Sequence, residues 1–151
     1  IMNIQFFRLI ILILSGLIAG TLFGIWAGYN PKGLSVQTYV EQQQGVIRAL
    51  NTLMPLMGLI TILITVAVAF MLKEHQATFV ILLLAAGLLI VSGLITKLGN
   101  QPINAIVITW EKSNAPTNWT ELRDRWWSLH TIRMLTAVMA FGLIAWSSIR
   151  K

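Results

Sequence analysis

Long apolar stretches divide this chain, and charged positions mark where each one stops. Leu9 to Pro31 runs for 23 residues without a charge, and Ala49 to Leu72 for 24. A third run is uncharged from His75 through Thr96, and a fourth, Met134 to Ile149, has only 16 uncharged residues. A helix needs roughly 20 mostly apolar residues to cross a hydrocarbon core about 30 Å thick. The first three runs meet that length alone. The fourth meets it only by starting near Trp126 or Trp127 and taking in Arg133. The pattern predicts an all-α, polytopic membrane protein, a four-transmembrane-helix bundle with a structured loop between helices 3 and 4. Residues 1–151 form its single domain, with spans at about 6–28, 46–72, 77–98 and 126–149. Arg8 ahead of a Leu/Ile run resembles the start of a secretory leader. The run is too long for one and further spans follow, so a retained helix is expected.

The connections are unequal. Lys73-Glu74-His75-Gln76 is so short that the second and third spans must form an antiparallel hairpin. The first loop, about 29–45, holds the turn Asn30-Pro31-Lys32-Gly33; the third, about 99–125, is broken by Asn100, Pro102, Pro116 and Asn118. Loops beyond about 12–15 residues are usually functional, folded or disordered. Asn118-Trp119-Thr120-Glu121 has the spacing of a helix start. With four spans, loops 1 and 3 share one side of the membrane, and the termini and loop 2 share the other.

Charge is scarce, and its placement is informative. Only 11% of the 151 residues are charged, against about 25% in a soluble domain, and 56% are hydrophobic. The 11 Lys and Arg against 5 Asp and Glu leave a net +6. These basic residues are scattered among apolar runs, so no nucleic-acid partner is expected; the lipid bilayer is. Basic residues near the spans number six at loops 1 and 3 and four on the other side. Several of the six look committed to a folded site, so the chain is expected in the cytoplasmic (inner) membrane with both termini cytoplasmic. The absence of cysteine excludes disulfides, thiolate metal sites, iron–sulfur ligation and a thiol nucleophile.

Chemistry collects at the loop 1/loop 3 end. Five of the six tryptophans lie there (Trp26, Trp110, Trp119, Trp126 and Trp127), with both tyrosines, Tyr29 and Tyr39. An interfacial belt places aromatics at both surfaces; the excess predicts an aromatic-lined pocket. Arg123, Trp127 and His130 follow i, i+4, i+7 spacing, as do Trp126, His130 and Arg133, so both sets meet around one helix face. Arg133 falls roughly 9 Å inside the membrane if the span starts near 127. An inward-facing arginine with a partner is expected, Glu41 and Glu111 being the candidates. Asn100 and Asn104 flank Pro102 at i, i+4, suiting either turn chemistry or a pair of buried amides. Pro55 interrupts the second span and frees a carbonyl, giving a tolerated kink or a widened cavity.

His130 and His75 lie on opposite sides, some 30 Å apart, and cannot share a metal. No H-x-x-E, E-x-x-H, P-loop, dinucleotide or GxSxG pattern occurs, so no cofactor and no metal are expected. His130 as general base is the simplest chemistry available, its ordinary pKa near about 6.5 suiting proton transfer. A neighbouring arginine would stabilise a developing oxyanion. Gly16, Gly20, Gly24 and Gly28 make three overlapping GxxxG steps on the first span. That smooth face fits helix packing within the fold, or an interface with other membrane subunits or in a homo-oligomer.

A longer pattern emerges from residues 100–133. Asn100-Gln101-Pro102-Ile103-Asn104 is followed by Trp110. Then come Trp119, Arg123, Trp126 or Trp127, His130 and Arg133 in the order W-x-x-x-R-x-x-W-x-x-x-H-x-x-R. This resembles the anthrone-oxygenase-like family of small four-helix membrane proteins, many of unknown function. Residues 39–58, with Glu41, Gln43, Asn51 and Met54-Pro55, match it more loosely. The resemblance implies a cofactor-independent oxygenase that converts an apolar, quinol-like aromatic such as an anthrone with O2. It implies His130 as base, with Arg133, Asn100 and Asn104 holding the oxyanion. Trp110, Trp126 and Trp127 would wall the pocket, with Arg123 and Glu41 beside the substrate. Two other classes compete. One is a non-catalytic accessory subunit of a larger membrane complex, packing through the glycine face. The other is a small transporter, disfavoured because no carboxylate lies mid-membrane.

Overall fold

A computed structural model describes residues 3–150, and among them regular structure is entirely helical. Six α-helices follow in order: α1 (Ile4–Gly28), α2 (Val36–Leu50), α3 (Leu53–Met71), α4 (Gln76–Ile95), α5 (Gln101–Val107) and α6 (Trp119–Ile149). A 3-10 turn at Pro31–Gly33 precedes α2, and a π-helical turn at Thr96–Asn100 joins α4 to α5. Four stretches are long and apolar enough to cross a membrane: Ile4–Gly33, Leu53–Met71, Gln76–Val107 and Trp119–Ile149. The protein is an integral membrane protein. Leu17, Leu63, Leu84 and Met139 are all more than half exposed on outward faces, as a lipid solvent allows.

Prolines decide where the long helices change character. The segment expected as one span over 46–72 divides at Asn51-Thr52, between α2 and α3. A helix running through Pro55 would set its ring against the Asn51 carbonyl and leave that carbonyl without its donor. The chain gives way there, and Gln101 Nε2 donates to the freed Asn51 carbonyl at 2.9 Å. Pro102 poses the same problem one helix later. There the π turn absorbs it, with the Gln101 N–H reaching back to the Thr96 carbonyl. The rod therefore continues to Val107 rather than stopping near 98. Gly99 lies in that turn because α6 passes close: a Cβ there would stand 2.9 Å from Leu129 Cδ1. On α6 the helix starts at Trp119, where the Asn118–Glu121 spacing placed a helix start and seven residues ahead of the span expected from 126, and the Asn118 side chain makes no capping bond.

α1, α3, α4 and α6 pack side by side, with α6 against both α1 and α4, and α3 against α1 and α4. One apolar core near the α3–α4 turn joins Ile11, Val68, Leu82, Ala140 and Ile144. A second, at the opposite end, joins Tyr39, Val40, Ile103, Trp110 and Trp126 where α2 and α5 cap the long helices. α2 is amphipathic: Tyr39, Val40, Gln43, Gln44 and Ile47 are buried on one face, while Glu41, Gln42 and Arg48 are exposed. The glycines of α1 divide. Gly16 approaches Phe141, where a Cβ would stand at 3.2 Å; at Gly20, Gly24 and Gly28 no atom lies within 4 Å of one. Packing inside the fold thus accounts for Gly16 and for none of the other three.

Candidate functional site

The site begins with two residues one helical turn apart on α6. His130 is fully buried and Arg133 is 8% exposed. His130 Nε2 lies 3.1 Å from the Leu22 carbonyl of α1. A carbonyl oxygen only accepts, so Nε2 carries the proton and Nδ1 presents a lone pair. Arg133 fills that lone pair, with Nη2 at 3.0 Å and Nε at 3.2 Å. Its Nη1 donates to Thr96 Oγ1 at 3.2 Å. The imidazole stacks on Trp126 at 5.0 Å and 4°, and on Trp127 at 5.8 Å and 20°. Both ring nitrogens of His130 are thereby engaged.

Arg133 has no carboxylate. The ion pairs among the described residues are Lys112–Glu41 and Arg123–Asp124. Glu41, proposed as its partner, is exposed and bonded to Lys112; Glu111 is exposed as well. The Arg133 charge is met by His130, by the Thr96 hydroxyl and by the Trp126 ring, with Cζ 5.7 Å from its centroid. All are neutral. A buried cation held only by dipoles lacks the anion that would best offset its desolvation.

Above it a network of amides ties the capping helices to α6. Trp126 Nε1 donates to Asn104 Oδ1 at 2.9 Å, and Asn104 Nδ2 donates to Asn51 Oδ1 at 2.8 Å. Gln43 Nε2 approaches the same Asn104 oxygen at 3.5 Å, and Gln43 Oε1 accepts from the Tyr29 hydroxyl at 3.1 Å. Gln44 Nε2 points at three carbonyls at and just past the end of α5: Val107 at 3.1 Å, which also accepts the Trp110 N–H, Ile108 at 3.3 Å and Trp110 at 2.8 Å.

Two cavities meet at Arg133. The smaller offers about 30 Å³ between Asn51, Asn104, Trp126 and Arg133, against the roughly 10–15 Å³ one water needs. The larger, about 440 Å³, is bounded by α1, α3, α4 and α6. Its walls are almost wholly apolar, with Ser92, Thr96, Lys97 and Arg133 as the polar exceptions. Its volume falls within the roughly 300–1,000 Å³ of small-molecule sites.

The residues singled out in the sequence separate into three groups. Arg133 lines both cavities and Asn104 and Trp126 line the smaller, with His130 directly behind Arg133. Asn100 and Trp127 touch this group without lining either cavity. Asn100 Nδ2 donates to the Trp126 carbonyl at 3.1 Å, and its Oδ1 is buried without a partner. Trp110, Arg123 and Glu41 belong to the cap. Trp110 lies 6.5 Å from the Tyr39 ring, and Arg123 stacks over Trp119 at 5.0 Å. The fully buried Tyr39 hydroxyl has no hydrogen-bond partner, and burial raises its pKa. Ser92 and Thr96 were missed by the sequence reading. Ser92 Oγ donates to the Arg133 carbonyl at 3.0 Å, and Thr96 Oγ1 to the Ser92 carbonyl at 2.9 Å. Their i, i+4 spacing in an apolar run was the available signal. Among the described residues no three His, Asp or Glu side chains come together.

Residues 44–143 match the family model described as anthrone oxygenase. The chain belongs to the anthrone oxygenase family. No curated protein and no solved structure matches it. The family match takes in Gln44, Asn51, Thr96, Asn104, Trp126, His130 and Arg133, which carry most of the polar contacts around the cavities. It leaves out α1, whose Leu22 carbonyl fixes the tautomer of His130.

Proposed function

We propose that this anthrone oxygenase family member is a cofactor-independent oxygenase acting on an anthrone-like aromatic inside the membrane. The observation that carries the reading is Arg133: a buried cation without a carboxylate, at the floor of an apolar cavity sized for a small aromatic molecule. Deprotonating an anthrone breaks a C–H bond and leaves its charge on the carbonyl oxygen as an aromatic phenolate. That oxygen is the anion Arg133 lacks. When the Arg133 fork turns onto the substrate, Nδ1 of His130 is released and takes the proton as general base. The phenolate passes one electron to O2, and the carbon radical and superoxide combine into a peroxide anion at carbon, which takes the proton back from His130 to become the hydroperoxide. Loss of water from the hydroperoxide gives the quinone. One O2 enters; one of its oxygen atoms ends in the product and the other in water.

Asn104 and Trp126 bound the small hole beside Arg133, where a molecule the size of O2 or water fits. Purified protein in nanodiscs, given a hydroxylated anthrone, tests the reading. One O2 should disappear per quinone formed, well above the rate in empty nanodiscs. Conversion no faster than in empty nanodiscs would sink it.

A second reading, a non-catalytic accessory subunit, draws on the open glycine face at Gly20, Gly24 and Gly28. Solubilised from its native membrane, an accessory subunit runs with a large complex, whereas the enzyme runs as a small particle that turns over substrate.

A further inference from the structure

The larger cavity reaches from buried residues inside the bundle to residues exposed on its lipid-facing surface. At its back lie buried groups of α1 and α6, Leu22 and Arg133. At its front lie Leu59 of α3 and Ile90 and Leu94 of α4, which are 55%, 43% and 52% exposed on the lipid-facing surface. α3 and α4 are closed together at their turn, where Val68, Ala69 and Leu82 share a core and Phe70 meets Phe79 edge-on at 5.5 Å. Toward their other ends the cavity lies between them. Gly58 of α3 and Gly93 of α4 line this gap, and a Cβ on either would meet no side chain or neighbouring helix within 4 Å. These glycines leave the space beside the cavity unfilled.

Resting on the oxygenase reading above, we infer that the gap between α3 and α4, with Gly58 and Gly93 in its walls, is a lateral portal. Through it a neutral, membrane-dissolved phenolic aromatic enters from the bilayer and reaches Arg133. The lining supports that occupant over others. Its lining is mostly apolar, with Ser92, Thr96 and Lys97 as the polar groups before Arg133, so a neutral molecule partitioned into the bilayer crosses it without desolvating a charge of its own. The buried cation Arg133 stands at the far end, where the phenolic oxygen arrives. Lys97 stands in the wall toward the membrane surface and also borders the polar groove beside Asn51 and Gln101. Charged conjugates of the same ring system must therefore be excluded: their second anion would have to pass the apolar stretch. Selection for uncharged, lipid-soluble substrate follows from the portal and not from the chemistry at Arg133.

The test is equilibrium binding of a dihydroxyanthraquinone, a flat phenol that cannot be oxidised by the proposed route, to the full chain in nanodiscs. Gly93→Leu and Gly58→Leu fill the gap. Gly87→Leu is the matched control: Gly87 is exposed on α4, has no atom within 4 Å of a Cβ and does not line the cavity. Filling the cavity should weaken binding roughly ten- to hundredfold, while Gly87→Leu stays within about twofold of wild type. Wild-type binding by either portal variant overturns the proposal, as does failure of the wild-type protein to bind the probe. Native mass spectrometry adds a third outcome. A phospholipid retained by wild type and lost from Gly93→Leu makes the cavity a lipid site, which also overturns it. Portal-sensitive binding without O2 consumption on an anthrone keeps the portal and removes the oxygenase, so the two failures are distinct.

Discussion

Arg133 presents two nitrogens to a single atom of His130: Nη2 and Nε lie 3.0 and 3.2 Å from Nδ1. The guanidinium is charged, and the imidazole is neutral because its Nδ1 accepts from Arg133 while its single proton, on Nε2, faces the Leu22 carbonyl. The pair is a resting arrangement. A neutral lone pair is a weaker partner for a buried guanidinium than an oxyanion, so an anionic substrate oxygen competes well for the fork. Under the proposed oxygenase reading, substrate binding and exposure of the base are then one event.

Arg133→Met separates binding from stability. Replacing a buried charge with an apolar side chain of similar length removes a desolvation cost but leaves the His130 lone pair unfilled at about 1–3 kcal/mol. Thermal unfolding in detergent is expected to stay close to wild type. Binding of a phenolate-bearing anthraquinone should fall by about 1.5–3 kcal/mol, or roughly ten- to hundredfold. Arg133→Lys restores the charge without the fork and should recover part of that loss. Unchanged affinity in Arg133→Met would remove Arg133 from the anion site.

His130→Asn asks whether His130 is a base or only a support. An asparagine oxygen can occupy roughly the place of Nδ1 and accept from Arg133, but it cannot take the substrate proton. Turnover should fall by about 10²–10⁴-fold, with anthraquinone binding held within a few-fold. His130→Ala removes both functions and should weaken binding too. An asparagine variant with near-wild-type kcat would make His130 a positioning residue.

Those roles were only partly legible in the sequence. Helix existence followed from the charge-free runs, because lipid tolerates few alternatives to a long apolar helix. The i, i+3 spacing of His130 and Arg133 was enough to place them together. Pro55, expected to give a tolerated kink or a widened cavity, lies just past the break between α2 and α3 and lines both cavities, and its conflict with the Asn51 carbonyl is relieved by Gln101, 50 residues away. Gln43 and Gln44 read as ordinary polar residues of an amphipathic helix, and only their burial against α5 gives them a role. Trp110 and Arg123 look the same in sequence whether they wall a pocket or pack a cap. The partner that decides it, Tyr39 for one and Trp119 for the other, comes from chain folding.

Gln44 holds the end of α5. Its amide faces three carbonyls, Val107, Ile108 and Trp110, of which only Val107 also accepts a backbone N–H, that of Trp110. Gln44→Ala should cost about 1–3 kcal/mol, the penalty for orphaned buried polar groups, and lower the unfolding temperature in detergent. Gln44→Glu should be worse, because a carboxylate would face those carbonyls with no proton to give, although Arg48, 3.3 Å from the Gln44 oxygen, offsets part of it. A glutamate variant as stable as wild type would mean that these carbonyls find donors elsewhere.

Tyr39 gives a stability change with a defined pH dependence. Its ring is fully buried, 5.6 Å from Trp119 and 6.5 Å from Trp110, and its hydroxyl has no partner. Burial raises its pKa above the ordinary value of about 10, with Arg123 opposing the shift and Asp124 adding to it. Above about pH 10 the unfolded chain has therefore lost a proton that the folded chain keeps. The unfolded state binds fewer protons there, so stability falls as pH rises through that range. Tyr39→Phe keeps the aromatic packing, removes an unsatisfied buried hydroxyl and deletes the titration. At neutral pH the variant should match wild type or exceed it by up to about 1 kcal/mol. Between pH 9 and 11 its unfolding temperature should decline less steeply than that of wild type. A loss above about 1 kcal/mol at neutral pH would show instead that the hydroxyl makes a stabilising bond.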